Sequence, residues 1–223
     1  MIKQKLKCLL QLCVASFAVL SLPSMAAPSF TLGPKISSLG VGSEATVKVT
    51  ETCHFRFGAN TFQYSKKFNH NQINWEGKLK LFTLGAFFDY HPFENGVFLS
   101  AGPVYNENKL KVSASPNQSI TINNITYTAQ QLGSLKGQLR FHKVSPYVGI
   151  GYNSAFTNLD NLSFVVELGM LFQGKARANI SATGTYSNNA NMLANLKTSA
   201  EQAANKPWIR YYPVVALGLV YRF

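Results

Sequence analysis

Residues 210–223 alternate. Tyr211, Pro213, Val215, Leu217, Leu219, Tyr221 and Phe223 share one parity, and Arg210, Tyr212, Val214, Ala216, Gly218, Val220 and Arg222 share the other. A strand points successive side chains to opposite faces. This stretch therefore has one bulky apolar face and one that is small in the middle and charged at its ends. The same pattern recurs in residues 97–105, 134–142, 146–152 and 162–173, and less cleanly in 39–49, 54–64 and 73–90. Period-two patterning over most of a chain predicts an all-β fold.

The composition of the two faces decides which one is outside. A soluble sandwich or ligand-carrying barrel would turn its bulky face inward and show water a polar one. Here the opposite face is Gly, Ala and Ser with occasional charges, which suits the interior of a narrow barrel. The bulky face carries aromatics near strand ends, as an interfacial girdle requires. Beyond residue 26 no apolar run approaches 18 residues. A chain that enters lipid without such a helix must close its backbone hydrogen bonds as a barrel. The expectation is a closed antiparallel transmembrane β-barrel.

The first residues predict export. Lys3, Lys5 and Lys7 precede an apolar run of about 15 residues, followed by Pro23 and the small-x-small triplet Ser24-Met25-Ala26. A spanning helix needs roughly 20 residues, so residues 1–26 read as a cleaved signal peptide and 27–223 as a single barrel domain. Cys8 and Cys13 would leave with it, and Cys53 alone cannot form an internal disulfide. The formal charge of +12 suits anionic surfaces. No compact basic run makes nucleic acid an expected partner.

Connections fall into two kinds. Residues 50–53, 91–96 and 143–145 are short, whereas 66–72, 112–131, 153–161 and 187–207 are longer and rich in Asn, Ser and Thr. Outer-membrane barrels keep short turns periplasmic and long loops outside. Residues 189–205 predict a short helix in the last outer loop, ended by Pro207. With 143–145 taken as a periplasmic turn, 162–173 and the last strand run in the same direction. An upward strand must then lie between them, in 176–186. The same logic asks for one in 28–36, joined by a tight turn at Ser37-Ser38. Direction counting thus predicts ten strands, with eight the alternative.

By the same parity the lumen receives Glu44, Lys48, Arg56, Asp89, Lys136, Arg140, Glu167, Arg210 and Arg222. Charges in a narrow low-dielectric lumen must pair. They form either a salt-bridge ladder that fills the barrel or the lining of a narrow pore, where six bases against three acids favour anions. The histidines do not build an enzyme. His54, His91 and His142 lie near short turns, and His70 in an outer loop has no evident partner. His142 with Ser145 has the residue types of a base and a nucleophile but no orienting acid. Gly40-x-Gly42 and Gly149-x-Gly151 lack the third glycine and following helix of a dinucleotide loop, and read as small lumen residues. No catalytic, metal or cofactor site is expected.

The segments SLGVGSEATV, FRFGANTFQY, FFDYHPFENGVFLSAGPVYN, SPYVGIGYN, VELGMLFQG and YYPVVALGLVYRF resemble small proteobacterial outer-membrane β-barrel proteins, broadly similar to the barrel domain of outer-membrane protein A and to opacity proteins. The resemblance implies a place, the outer membrane of a Gram-negative bacterium, and contact with its lipid and lipopolysaccharide. It implies that Tyr221 and the terminal Phe223 are read by the outer-membrane assembly machinery. It implies no activity, because one small-barrel architecture serves many roles. The expected function is a structural or adhesion-like surface role carried by the loops, in a monomer. A narrow porin-like channel for small solutes, anions among them, is the alternative, and a lipid-modifying enzyme a lesser one.

Overall fold

The structure, a computed structural model, describes residues 29–70, 73–93, 95–116, 119–122, 125–156, 161–185 and 189–223. The expected signal peptide lies outside the described residues. The strands are β1 (Phe30–Ser37), β2 (Gly40–Lys48), β3 (Cys53–His70), β4 (Ile73–Tyr90), β5 (Val97–Asn106), β6 (Lys109–Pro116), β7 (Ile120–Ile122), β8 (Ile125–Tyr127), β9 (Leu135–Arg140), β10 (Val144–Asn153), β11 (Leu162–Phe172), β12 (Arg177–Ala182) and β13 (Tyr211–Arg222). Among the described residues three α-helices accompany them, α1 (Ala129–Leu132), α2 (Ala190–Ala204) and α3 (Pro207–Arg210), with one 3-10 turn at Ser154–Phe156.

Eight strands close a ring in the order β1-β2-β3-β4-β5-β10-β11-β13, with β13 returning to β1. Every pairing is antiparallel. The ring therefore has the alternative count of eight and not ten. The hairpin before residue 49 exists, but its turn is Ser38-Leu39, one residue later than the sequence predicts. Ser37 pairs with Gly40, and Gly40 takes φ +117°, a conformation that favours glycine.

The difference in count comes from residues 141–143. They do not reverse the chain. β9 pairs with β6, and β10 with β5, so β9 and β10 run in one direction along a neighbour that is itself interrupted. β11 therefore runs opposite to the direction predicted, and β12 prolongs it instead of returning. β3 and β4 are each 18 residues long, about twice what the ring uses. The first half of β4 pairs with β6 and the second half with β5. Beyond the ring, β3-β4-β6-β9-β12 thus continue as an open sheet.

Buried amides heal the interruption. Asn106 Nδ2 donates to Gln173 Oε1 at 3.2 Å, Phe82 N donates to Asn108 Oδ1 at 3.0 Å, and Gln173 Nε2 donates to the Ile209 carbonyl at 2.7 Å. Backbone groups left without a ladder partner are thereby satisfied where the sheet breaks. The helix expected near residues 189–205 is α2. Asn189 caps it by accepting from Met192 N, and Asn205 closes it. It lies against β12, with Met192 buried among Leu135, Ala182, Leu193 and Leu196.

The ring's outer surface is apolar: Leu32, Ile36, Phe57, Leu84, Leu99, Ile150, Leu168 and Leu217 all stand exposed on it. A contiguous apolar belt of this kind marks a surface that is not meant for water. The two rims differ. The connections that follow β2, β4 and β10 lie at one rim, so the one after β10, expected among the outer loops, is on the side of the short turns, and the open sheet and α2 rise from the other.

Candidate functional site

The ring interior is layered. Leu39, Val104, Tyr147, Leu171 and Val214 form an apolar layer toward the extended rim, with Phe87 and Tyr212 against it. Phe98, Ala155, Val165 and Val220 form another toward the short-turn rim. Between them sits an ionic cluster built on Arg56. Its Nε lies 2.7 Å from Asp89 Oδ2, its Nη2 2.7 Å from Glu167 Oε1, and its Nη1 3.3 Å from Glu44 Oε2. Nη2 also donates to Ser100 Oγ at 2.9 Å. Lys35 Nζ reaches Glu44 at 2.9 Å and Glu167 at 3.5 Å. The guanidinium lies 4.8 Å from the Phe87 ring centroid and 5.3 Å from that of Phe98.

Small residues make this arrangement possible. Gly149 and Gly169 are direct cross-strand partners. A Cβ on either would overlap the Tyr147 phenol, whose ring covers both. Seated there, the Tyr147 hydroxyl donates to Glu167 at 2.7 Å. The glycines that the sequence reading assigns to the lumen thus admit a large aromatic, which seals the space they leave.

Of the nine charges expected in the lumen, Glu44, Arg56, Asp89 and Glu167 meet in this cluster. Lys48 and Arg222 face inward at the short-turn rim. Lys48 pairs with Glu51, and Arg222 Nη1 donates to the Ala155 carbonyl at 2.8 Å. Three do not belong to the lumen. Lys136 and Arg140 are on the outer face of β9, and Arg210 lies on α3, 5.5 Å from the Tyr211 ring. Lys35, not among the nine, also belongs to the cluster. Its signal was available: it alternates with Thr31 and Gly33 on the small face of β1.

Two of the histidines, His54 and His91, are buried and packed together. The His54 and His91 rings lie 4.1 Å apart, and His91 is 5.6 Å from Phe98. His91 Nδ1 is 2.9 Å from the Asn95 carbonyl. Ser145 Oγ donates to the backbone carbonyl of His142 at 3.3 Å, not to its ring. Both residues sit at the break on the extended side, not at the short-turn rim as expected. Tyr221 and Phe223 close the chain at the short-turn rim, their rings 5.0 Å apart, with Phe30 5.8 Å from Phe223.

The open sheet has two unlike faces. The face continuous with the ring interior is apolar and faces α2 across a groove of about 480 Å³. Trp75, Leu110, Val112, Leu139, Ile180 and Leu196 line it. Such a groove can take an apolar group and presents almost no polar surface to orient one. The helix is tied to the sheet by Glu201 Oε1, which accepts from Ala178 N at 2.9 Å. The face continuous with the ring's exterior is polar and basic, with Lys78, Lys80, Lys109 and Lys111 beside Gln63.

No family model matches this chain, and no curated protein does. Solved structures do. The crystal structure of Acinetobacter baumannii CarO aligns with a TM-score of 0.56 at 17% identity, over 86% of this chain and 97% of that one. Acinetobacter baumannii CarO2 aligns with a TM-score of 0.57 at 16% identity, over 87% and 98%. A major outer membrane protein from Thermus thermophilus aligns at a TM-score of 0.44 and 13% identity, over 89% and 100%, too distant to bear on the fold. At these identities the likeness to the two Acinetobacter proteins is one of fold.

Proposed function

We propose that the protein is an integral outer-membrane β-barrel with a closed lumen, whose work is done at the cell surface by the sheet and helix it holds above the membrane. The observation that carries this reading is the burial of the central cluster. Arg56 is 1% exposed, and Glu44, Asp89 and Glu167 are 2% exposed each. A conducting pore needs its lining wetted, and solvent touches almost none of the surface of these groups. Apolar layers on both sides close the path again. The apolar belt supports residence in lipid, and short connections at one rim with a long extension at the other support an outward-facing extension. The surface role rests on the extended sheet and α2, which are far larger than a barrel of this size needs to close. Nothing in the described interior favours the channel alternative.

Orientation has a built-in control. Cys53 lies at the short-turn rim, and Ser113 is on the outer face of β6. In intact cells a membrane-impermeant maleimide is expected to label a Ser113→Cys variant, and to reach Cys53 only after the outer membrane is permeabilised. Labelling of Cys53 alone in intact cells reverses the orientation and refutes the reading.

A further inference from the structure

On the outer face of the open sheet, strand register lines up cations. Lys80 of β4 stands directly opposite Lys109 of β6, Lys109 opposite Arg140 of β9, and Arg140 opposite Arg177 of β12. Four strands thus contribute four cations to one cross-strand row. In the next row outward, Lys78 stands opposite Lys111. Like charges directly opposite each other destabilise a sheet. An uninterrupted row of them is therefore a strong electrostatic feature, well beyond the mixed charge of an ordinary wet surface.

Acids do little to offset it. Among the described residues, Glu107 approaches the row, 3.9 Å from Lys109 Nζ, and it also accepts from the Tyr105 hydroxyl at 2.9 Å. That hydrogen bond, followed by the charges of Lys109, Lys143 and Lys80, holds the Glu107 carboxyl below the usual carboxylate range. Glu76 lies two rows farther from the ring, opposite Ser113.

The row's height is as specific as its charge. Toward the ring, the same four strand lines carry Phe82 and, at the break, Glu107 and the exposed Lys143 and Lys175, and only then Tyr105, Val144 and Phe172. Below them the exterior is the apolar belt. The cations therefore stand, with Lys143 and Lys175, in the band where the outer surface changes from apolar to charged. In a bilayer that is the level at which hydrocarbon gives way to headgroups. Adjacent strands are about 4.8 Å apart, so the row spans roughly 14 Å. One headgroup carrying two phosphates can engage it at more than one point.

We infer that the Lys80–Lys109–Arg140–Arg177 row is a binding site for the phosphate groups of an outer-leaflet lipid headgroup. Charge-assisted hydrogen bonds from guanidinium and ammonium to phosphate supply the contacts. The bound anion would relieve the repulsion within the row, so the lipid stabilises the open sheet against the membrane surface. This rests on the outer-membrane reading for the identity of the lipid. The binding test in detergent does not, because it requires no location in a cell.

The test uses the full-length protein purified in detergent and titrated with lipid A in bisphosphorylated and dephosphorylated forms. Bound lipid is counted by native mass spectrometry. The wild type is expected to prefer the bisphosphorylated form by on the order of tenfold or more, from about four near-surface cations. The K80Q/K109Q/R140Q/R177Q variant is expected to lose that preference. A K197Q/K206Q variant, altered on and after α2, is expected to keep it. Gel mobility with and without heating verifies that each variant is a folded barrel. Inorganic phosphate at equal phosphorus concentration should not displace the lipid. The inference is overturned by equal binding of the two lipid forms, by an unchanged preference in the quadruple variant, or by displacement with free phosphate. It is also overturned if an acidic polysaccharide or an oligonucleotide binds the row as tightly in the same salt.

Discussion

Arg56→Ala is expected to lower the unfolding free energy of the barrel by about 3–5 kcal/mol, the range for breaking a buried ion pair from one side. The guanidinium contacts three carboxylates, from Glu44, Asp89 and Glu167. Without it those carboxylates share one ammonium, that of Lys35, and Asp89 has no cation at salt-bridge distance among the described residues. The cost is the desolvation of charge that nothing compensates, and solvent cannot enter to offset it. Arg56→Lys should recover only part of the loss, because an ammonium cannot reproduce the fork that serves Asp89 and Glu167 together. Glu167→Gln is expected to be milder, since Arg56 keeps Asp89 and Glu44. Equilibrium urea unfolding in detergent, followed by the mobility difference between folded and unfolded barrel, measures the order. A loss below about 1 kcal/mol for Arg56→Ala would mean that the cluster is hydrated and the lumen open.

Gly33→Val should be nearly as damaging, for a different reason. Gly33 lies on β1 where the first and last strands of the ring meet. A Cβ built there falls on the Leu219 carbonyl oxygen and comes within 2.7 Å of Val220 Cα. Both obstructions are backbone, so no side-chain rotation relieves them, and the closing pair of β1 with β13 must separate locally. Overpacking typically costs about 1–3 kcal/mol, and an obstruction of this kind belongs at or above the top of that range. Gly58→Ala is the contrast. It is also a buried inward-facing glycine in the ring, but its nearest contacts would be at 3.7 Å, ordinary packing distance. It is expected to change stability by less than about 1 kcal/mol. Equal effects for the two substitutions would show that the seam is not constrained as described.

How far the sequence could be read depends on which solvent each segment meets. In the ring, alternation sends Glu44, Arg56, Asp89 and Glu167 inward, where the structure has them, because lipid outside and a narrow lumen inside reverse the usual polarity. The same rule misplaced Lys136 and Arg140. Leu135 and Leu139 are as apolar as any lipid-facing pair, yet they belong to a segment above the ring. There the apolar side turns inward against α2, and the charged side turns out. Parity carries no information about height, so a period-two pattern reads identically on both sides of that boundary.

The strand count failed at the same level. Residues 143–145 have the polarity and brevity of a periplasmic turn. Residues 144 and 145 in fact open β10, and what makes 141–143 an interruption in a continuing strand is the register of β9 on β6 and of β10 on β5, which is non-local. Asn106, Asn108 and Gln173, the amides that sustain the interruption, are scattered in sequence and meet only in the fold. The role of Tyr147 was equally hidden. Alternation puts this residue on the lumen face with Gly149 and Gly151, but that its ring covers Gly149 and Gly169 together depends on the pairing of β10 with β11. The cationic row needed register as well, although the spaced pairs Lys78-x-Lys80 and Lys109-x-Lys111 were visible as one-sided charge on a strand.

The closed lumen is the claim on which the surface role depends, and electrical conductance across a planar bilayer tests it most directly. Purified full-length protein, inserted in high salt and held at either polarity, is expected to give no stepwise currents. Reproducible channel openings of uniform size from the wild-type protein would contradict the account and return the barrel to the class of solute pores.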